Sequence, residues 1–457
     1  MAETNPPAQP AAAAAAAPAT PAPPKPAAAP KPQNPALRML GLPNLPRKLP
    51  SRNWLIFWAI TGSFTAAIVY DKREKNRATA KWRHAVEHLA KEPIGNPNAL
   101  PRKLTIFLEA PPGDGLRSAQ DHFIEYAKPV LAASGLDWEF VQGRQQGDVR
   151  AAVAEKIRRT RKKQERPNET LAETDETIVE RLRERMGVED YVGTRGDIVI
   201  GRHTWKEYIR GMHEGWLGPL DPPVVPEPEK IEPTPAATEA PAEGAAAEEK
   251  KEEKKEDDKP KRPPQPQPYN TPDSYAEAAL PATIPVEFAP STVLAFPHRI
   301  GFKHTFTRFG WFMTRRKLAD EIGRDVAAVC FAASRGWRET DGRYEQEGVL
   351  EKDEVGWPKS VFTEEEERKA PPKEGEEPKP PKEFIWASPM RMDARIVERM
   401  RRFELLPEDE ARAAQIVVPE KEVEGWIKGS LRSLVNWGVD SWNQKPWAPN
   451  VGDVNDS

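Results

Sequence analysis

One cysteine stands in 457 residues, Cys330, which excludes an internal disulfide and any cysteine-based metal cage. Its neighbours Ala327, Ala328, Val329, Phe331, Ala332 and Ala333 predict a buried, inert thiol rather than a nucleophile. An excess of charge of one sign is also missing. The net charge is -3, so no global field draws nucleic acid, and no zinc-knuckle, basic-zipper or RNA-binding signature is present. No Ser-His-Asp or Cys-His arrangement can be picked out, and no Gly-Lys-Ser/Thr loop occurs. Nothing compels an enzyme, and neither a cofactor nor a metal is expected.

Long apolar runs are absent but for one. Residues 54–70 carry no charge and cover about 26 Å as a helix, slightly less than a bilayer's hydrocarbon core of about 30 Å. Arg52, Lys72 and Arg73 can snorkel from the two ends, and Trp54 and Tyr70 suit the two interfaces. Phe57 and Trp58 fill the first half of the run, whereas Gly62, Ala66 and their neighbours Thr61, Ser63, Thr65 and Ala67 make a small-residue stretch suited to close helix packing in lipid. The alternative is a buried core helix. Basic residues flank both ends, so charge leaves the orientation open.

The 50 prolines divide the rest. Residues 1–36 form an Ala/Pro tail expected to be disordered, followed by a transmembrane helix over 53–71 and a juxtamembrane helix and linker over 72–100. An α/β domain is expected over 101–220, a disordered linker over 221–270, a second folded segment over 271–361, a disordered acidic insert over 362–383, and C-terminal helices with a Trp-rich tail over 384–457. The juxtamembrane helix holds His84, Glu87 and His88 in the order of an inverted zinc-protease motif, but no acidic third ligand stands out, and a solvated helix accounts for it.

Within the α/β domain, apolar periodicity predicts strands over 103–110, 136–141 and 197–200. It predicts helices after the turn at 111–115 (kinked by Pro129), over 148–163, over 175–186 (buried through Ile178, Leu182 and Met186), and around Trp205, Tyr208, Ile209, Met212 and Trp216. Alternating strands and helices imply a mostly parallel sheet. Ligands of such sheets sit where strands run into helix N-termini, but Asp114 in the 111–115 turn would cap amides and repel phosphate. Arg158, Arg159, Arg161, Lys162 and Lys163 end one helix; a solvated end and docking to anionic phospholipid headgroups are both open.

In the second segment residues 286–296 read as a strand and 327–333 as a buried strand or short helix. Phe302, Phe306, Phe309, Trp311, Phe312 and Met313 crowd before Arg315, Arg316 and Lys317, which fits an interfacial helix, a partner groove or an ordinary core helix. Residues 393–403 read as helix, and Val423, Trp426, Ile427, Leu431, Leu434 and Val435 as a final amphipathic one. Trp437, Trp442 and Trp447 then either pin the tail to the body or anchor it at a membrane interface.

Several stretches together resemble a known family: Leu-Pro-Ser-Arg-Asn-Trp-Leu-Ile-Phe at 49–57, Arg-Lys-Leu-Thr-Ile-Phe-Leu-Glu-Ala-Pro-Pro-Gly-Asp at 102–114, and Asp-His-Phe-Ile-Glu-Tyr-Ala-Lys-Pro-Val-Leu at 121–131. Arg-Met-Arg-Arg-Phe-Glu-Leu at 399–405, Glu-Gly-Trp-Ile-Lys-Gly-Ser at 424–430 and Lys-Pro-Trp-Ala-Pro-Asn-Val-Gly-Asp at 445–453 complete the likeness. It is to the fungal Tim fifty-four (Tim54) family of the mitochondrial carrier translocase, the TIM twenty-two complex. The resemblance implies a single-pass inner-membrane protein with its N-terminus in the matrix and its main domain in the intermembrane space. It implies a non-catalytic scaffold that holds the channel-forming subunit Tim twenty-two among other membrane subunits, docks small Tim chaperones carrying carrier precursors, and has a link to an inner-membrane AAA protease.

A second resemblance, in element order, is to the nucleotide domain of diacylglycerol and acylglycerol kinases. Where their third strand runs into a Gly-rich phosphate loop, this chain has Gly201, Arg202, His203 and Thr204, whose side chains stand where phosphate must approach. The expectation is a degenerate kinase-like fold without activity. The rival functions are a membrane-anchored lipid kinase and a phospholipid-binding membrane organiser.

Overall fold

The computed structural model describes residues 51–93, 98–169, 175–189, 191, 193, 195–223, 265–358, 361 and 383–443. The Ala/Pro tail, most of the 221–270 linker and of the 362–383 insert, and Trp447 lie outside them. The chain divides into two units, residues 1–63 and 64–457. In the first, the described residues begin helix α1 (Arg52–Val86), where the Trp54 ring meets Phe57 edge-on at 5.6 Å and stacks near Trp58 at 6.5 Å. The helix is long and apolar enough to cross a membrane, and none of its apolar window is buried, which disfavours a buried core helix.

In the second unit the remainder of α1 is followed by β1 (Lys103–Glu109), α2 (Leu116–His122), α3 (Lys128–Ser134), β2 (Asp137–Gly143), α4 (Asp148–Glu165), α5 (Asp175–Met186), β3 (Gly196–Ile200) and α6 (Arg202–Leu217). After the linker come β4 (Ser291–Leu294), α7 (Thr305–Phe312), α8 (Arg315–Phe331), β5 (Ser334–Gly336), the small hairpin β6 (Glu339–Thr340) and β7 (Arg343–Tyr344), and α9 (Glu345–Gly348). Then follow α10 (Ala394–Val397), β8 (Arg401–Phe403), α11 (Pro407–Ala414), α12 (Glu420–Val423) and α13 (Trp426–Asn443).

The main sheet runs in the order β2-β1-β3-β4-β8-β5 and is parallel except at its β5 edge. Ile106 of β1 pairs with Phe140 on one side and Ile198 on the other, and Val199 pairs with Val293. Strands from both sides of the linker thus share one sheet. Alternation sorts its residues onto two faces. Leu104, Ile106, Leu108, Ile198, Ile200 and Leu294 pack with α2, α3 and α8, and with Trp82 and Val86 of α1. Phe107, Val199 and Val293 pack with α4 and α6.

Several elements depart from the sequence reading. Pro129 sits in the first turn of α3, and the five residues before that helix, Phe123–Ala127, wind one residue wider than an α-helix, so the kink becomes a local widening that accommodates the missing amide hydrogen. Residues 327–333 fall mostly in the C-terminal turns of α8. The strand expected over 286–296 shrinks to four residues because Pro290 precedes it and the Phe296 amide leaves the ladder for Asp353 (3.2 Å). Residues 393–403 give one helical turn and then β8, where backbone pairing with β5 overrides local propensity. In α5, Ile178, Leu182 and Met186 are exposed, contrary to their expected burial: periodicity reports an apolar face, not its cover. Trp437 is likewise 72% exposed instead of pinned to the body.

Candidate functional site

From β1 the chain passes to β2 on one side and then crosses to β3 on the other, so the crevice between the carboxyl ends of β1 and β3 is where such a sheet binds ligands. Its walls are Glu109, the 111–115 turn and the start of α6. The crevice is filled by the protein itself. Gly201 turns at φ +86°, and a Cβ there would lie 2.9 Å from the His203 ring. His203 turns inward to face the Glu109 carbonyl (3.1 Å), with its ring against Phe296 and edge-on to Trp386. Burial holds the His203 imidazole neutral, its pKa lowered to about 4. Arg202 points away, binding Glu354 (2.8 Å) and the Glu347 and Val349 carbonyls. Asp114 accepts from the Gly115 amide (2.8 Å) and faces His298 (3.2 Å).

Beneath this plug lie two buried carboxyl groups. Neither Glu109 oxygen has a hydrogen-bond partner among the described residues, and burial, with Glu207 beside it, pushes its pKa well above the carboxylate range. Burial also raises Glu207, although its carboxyl accepts from the Gly147 amide (2.6 Å), the Arg150 amide (3.2 Å) and the Trp386 indole (2.9 Å). This arrangement stores a proton and offers no cradle for an incoming phosphate.

Helix α6 is buried along all sixteen residues. Its apolar side was legible, and Gly211 and Gly215 let α4 approach so closely that a Cβ at either would overlap Val153 or Ile157. Its charged side is covered by chain arriving later. Lys206 donates to the Trp386 and Ser388 carbonyls (2.7 and 3.1 Å), and Arg210 to Glu383 (2.7 Å) and Asn270 (2.8 Å). Glu214 accepts from Arg150, Arg158 (3.0 Å) and the Tyr269 amide (3.1 Å), and His213 accepts from the Asp393 amide (2.9 Å). A cavity of about 260 Å³ lies between α6 and residues 383–391. The sequence signal for this burial was the strict four-residue spacing of Arg202, Lys206, Arg210 and Glu214, which reads equally as a solvated stripe.

The basic cluster of α4 is split. Arg158 and Arg161 are buried, Arg161 donating to the Gly215 and Gly218 carbonyls (2.7 and 3.0 Å), so these two serve the α4–α6 contact. Lys162 pairs with Asp221 (3.2 Å), Lys163 with Glu180, and Arg159 with Glu155 (3.5 Å), all nearer the surface. His84 faces Glu87 and Glu422 (both 3.0 Å), while His88 faces the Ala85 carbonyl. Among the described residues no group of three His, Cys, Asp or Glu side chains could hold a metal ion.

The residues expected to form the span, Trp54, Phe57, Trp58, Gly62, Ala66 and Tyr70, are all exposed along α1. Sequence reasoning missed the joint just beyond them. Asp71, buried, accepts from the Arg315 and Arg316 amides (3.2 and 3.4 Å) and so caps α8 from a position 244 residues earlier.

Residues 34–403 match the family described as inner membrane protein import complex subunit Tim54, a stretch that runs from before α1 to the last residue of β8. The chain belongs to the Tim54 family. It is 55% identical over 436 residues to the mitochondrial import inner membrane translocase subunit tim54 of Neurospora crassa, covering 92% of this chain and 91% of the relative. The subunit of that name in Aspergillus oryzae is 44% identical over 82% of this chain and 89% of its own length, and that of Candida albicans 32% identical over 81% and 96%. The Tim54 match takes in α1, the filled crevice and α6, whereas α11, α12 and α13 lie beyond it.

Proposed function

We propose that the chain is a non-catalytic scaffold subunit of the mitochondrial inner-membrane translocase that inserts multispanning carrier proteins. It crosses the membrane once, with its N-terminus in the matrix and the sheet-bearing body in the intermembrane space. It holds the channel-forming subunit Tim twenty-two and docks small Tim chaperones with their carrier precursors; contacts with an inner-membrane AAA protease follow from the same resemblance. The observation that carries the non-catalytic reading is the filled crevice: His203 and Trp386 occupy the space a phosphate-binding loop needs, over two buried carboxyl groups. The fold is then a degenerate relative of lipid-kinase nucleotide domains.

Magnesium-ATP titration of the purified full-length protein tests this, with no saturable binding expected; tight binding with phosphate transfer to diacylglycerol would overturn it. The small face of the span is the proposed contact with other membrane subunits, since a Cβ at Gly62 would meet nothing within 4 Å. Gly62→Leu with Ala66→Leu should release the protein from the complex yet leave it embedded, read by co-purification. Headgroup contact at the α4 end is confined to Arg159, Lys162 and Lys163, and loss of liposome binding on their replacement is its test.

A further inference from the structure

Helix α7 and the turn before it expose aromatic rings rather than bury them. Phe302 is 92% and Phe306 89% exposed, Phe309 and Phe312 are partly so, and no α7 residue is buried. Phe302, Phe306 and Phe309 follow one another at four- and three-residue spacing, so the helix presents an apolar stripe, with Lys303 and Arg308 exposed beside it. What covers this stripe is indicated by its neighbour. The Phe309 ring stacks on Phe64 of α1, centroids 5.8 Å apart and planes 11° from parallel. Further along, Arg316 lies over the Tyr70 ring at 5.1 Å, Asp71 caps α8, and Trp82 donates to Asp320 (2.8 Å). The segment from Phe309 to Asp320 thus follows α1 from Phe64 to Trp82 in the same order.

Phe64 lies six residues before Tyr70, about 9 Å deeper along the helix axis. If Tyr70 marks the membrane interface, Phe309 is within the acyl region. We propose that residues 302–312 form a second membrane contact, an aromatic helix lying in the lipid interface beside the span, with Phe302 and Phe306 among acyl chains and Lys303 and Arg308 at anionic headgroups. The inference rests on α1 being a span. Cations interleaved with the rings favour lipid over another subunit's transmembrane helix, because long basic side chains can reach the headgroups from rings sunk below them.

The test uses full-length protein in phosphatidylcholine–phosphatidylglycerol vesicles, labelled with nitrobenzoxadiazole at one introduced cysteine; the native thiol, Cys330, is buried and stays unlabelled in the folded chain. Labels replace Phe306, Ile60 in the span, or Val417, which is 89% exposed on the body. Expected are blue-shifted emission and several-fold stronger quenching by acyl-chain nitroxides for Phe306→Cys and Ile60→Cys than for Val417→Cys. Quenching at Ile60→Cys with water-like emission at Phe306→Cys would overturn the inference and leave the span intact. Water-like emission at both would overturn the span reading as well. A blue shift at Phe306→Cys in mitochondrial membranes but not in pure lipid would assign the stripe to a protein partner and overturn the lipid assignment.

Discussion

Helices α6 and α7 carry their polarity in opposite senses. Arg202, Lys206, Glu207, Arg210 and Glu214 lie on a helix buried along its whole length, whereas Phe306, Phe309 and Phe312 lie on one with no buried residue. The charges of α6 are tolerated inside because each meets a partner or a backbone carbonyl, as burial demands. The rings of α7 stand outside, next to the one helix among the described residues that is long and apolar enough to cross a membrane. In this protein burial follows the availability of partners, and the exposed apolar surface belongs to the environment of the chain rather than to its core.

The largest expected effect comes from breaking the α6 side of that contrast. Glu214→Ala leaves Arg150 and Arg158 buried without their shared carboxylate, and should destabilise the body by about 3–5 kcal/mol, read as the shift in urea midpoint at constant slope. Asp71→Ala acts where α1 meets α8 and the aromatic segment begins. Loss of the cap should remove about 0.5–2 kcal/mol and raise protease sensitivity around Arg315.

A smaller effect is a change in pH dependence. Glu109 keeps its proton in the folded protein at pH values where the unfolded chain, with an ordinary carboxyl at 4.5, has lost it. Stability therefore falls as pH rises above 4.5, and Glu109→Gln should flatten that decline in a thermal-melting series. The opposite limb comes from His122, His203 and His213, each held down to about 4 chiefly by burial. The unfolded chain binds protons below 6.5 that the folded one refuses, so stability also falls from 6.5 towards 4. Smallest of all, Phe302→Ser with Phe306→Ser should leave the urea midpoint unchanged, since both rings are already exposed. A loss like that of Glu214→Ala would show that the stripe is core and erase the contrast.

What could be read in advance followed from local pattern. The uncharged run at 54–70, the apolar run of β1 and the spacing of Trp205, Tyr208, Met212 and Trp216 each announce their element without reference to anything distant. The charged side of α6 could not be read that way, because Glu354, Glu383 and Asp393, which cover it, lie 152 to 180 residues beyond their partners on α6. The same distance hid the Asp71 cap. β8 was missed because three residues, Arg401–Phe403, carry no period of their own and become a strand by pairing with Ser334, Arg335 and Gly336 on one side and with Ser291 on the other. In the crevice, the loss of glycines at 202–204 was visible, but the inward turn of His203 and the arrival of Trp386 were not.

The late cover of α6 also sets an order of events. Arg210 must wait for Glu383, and His213 for Asp393, before either is shielded from water. A chain that emerges N-terminus first presents α6 with its ionic groups still hydrated and its sheet short of β4, β8 and β5, so the body completes itself only once β8, ending at Phe403, has been delivered. Until β4 arrives the intermediate is an open α/β layer with an unpaired β3 edge, the kind of species that depends on a holding chaperone.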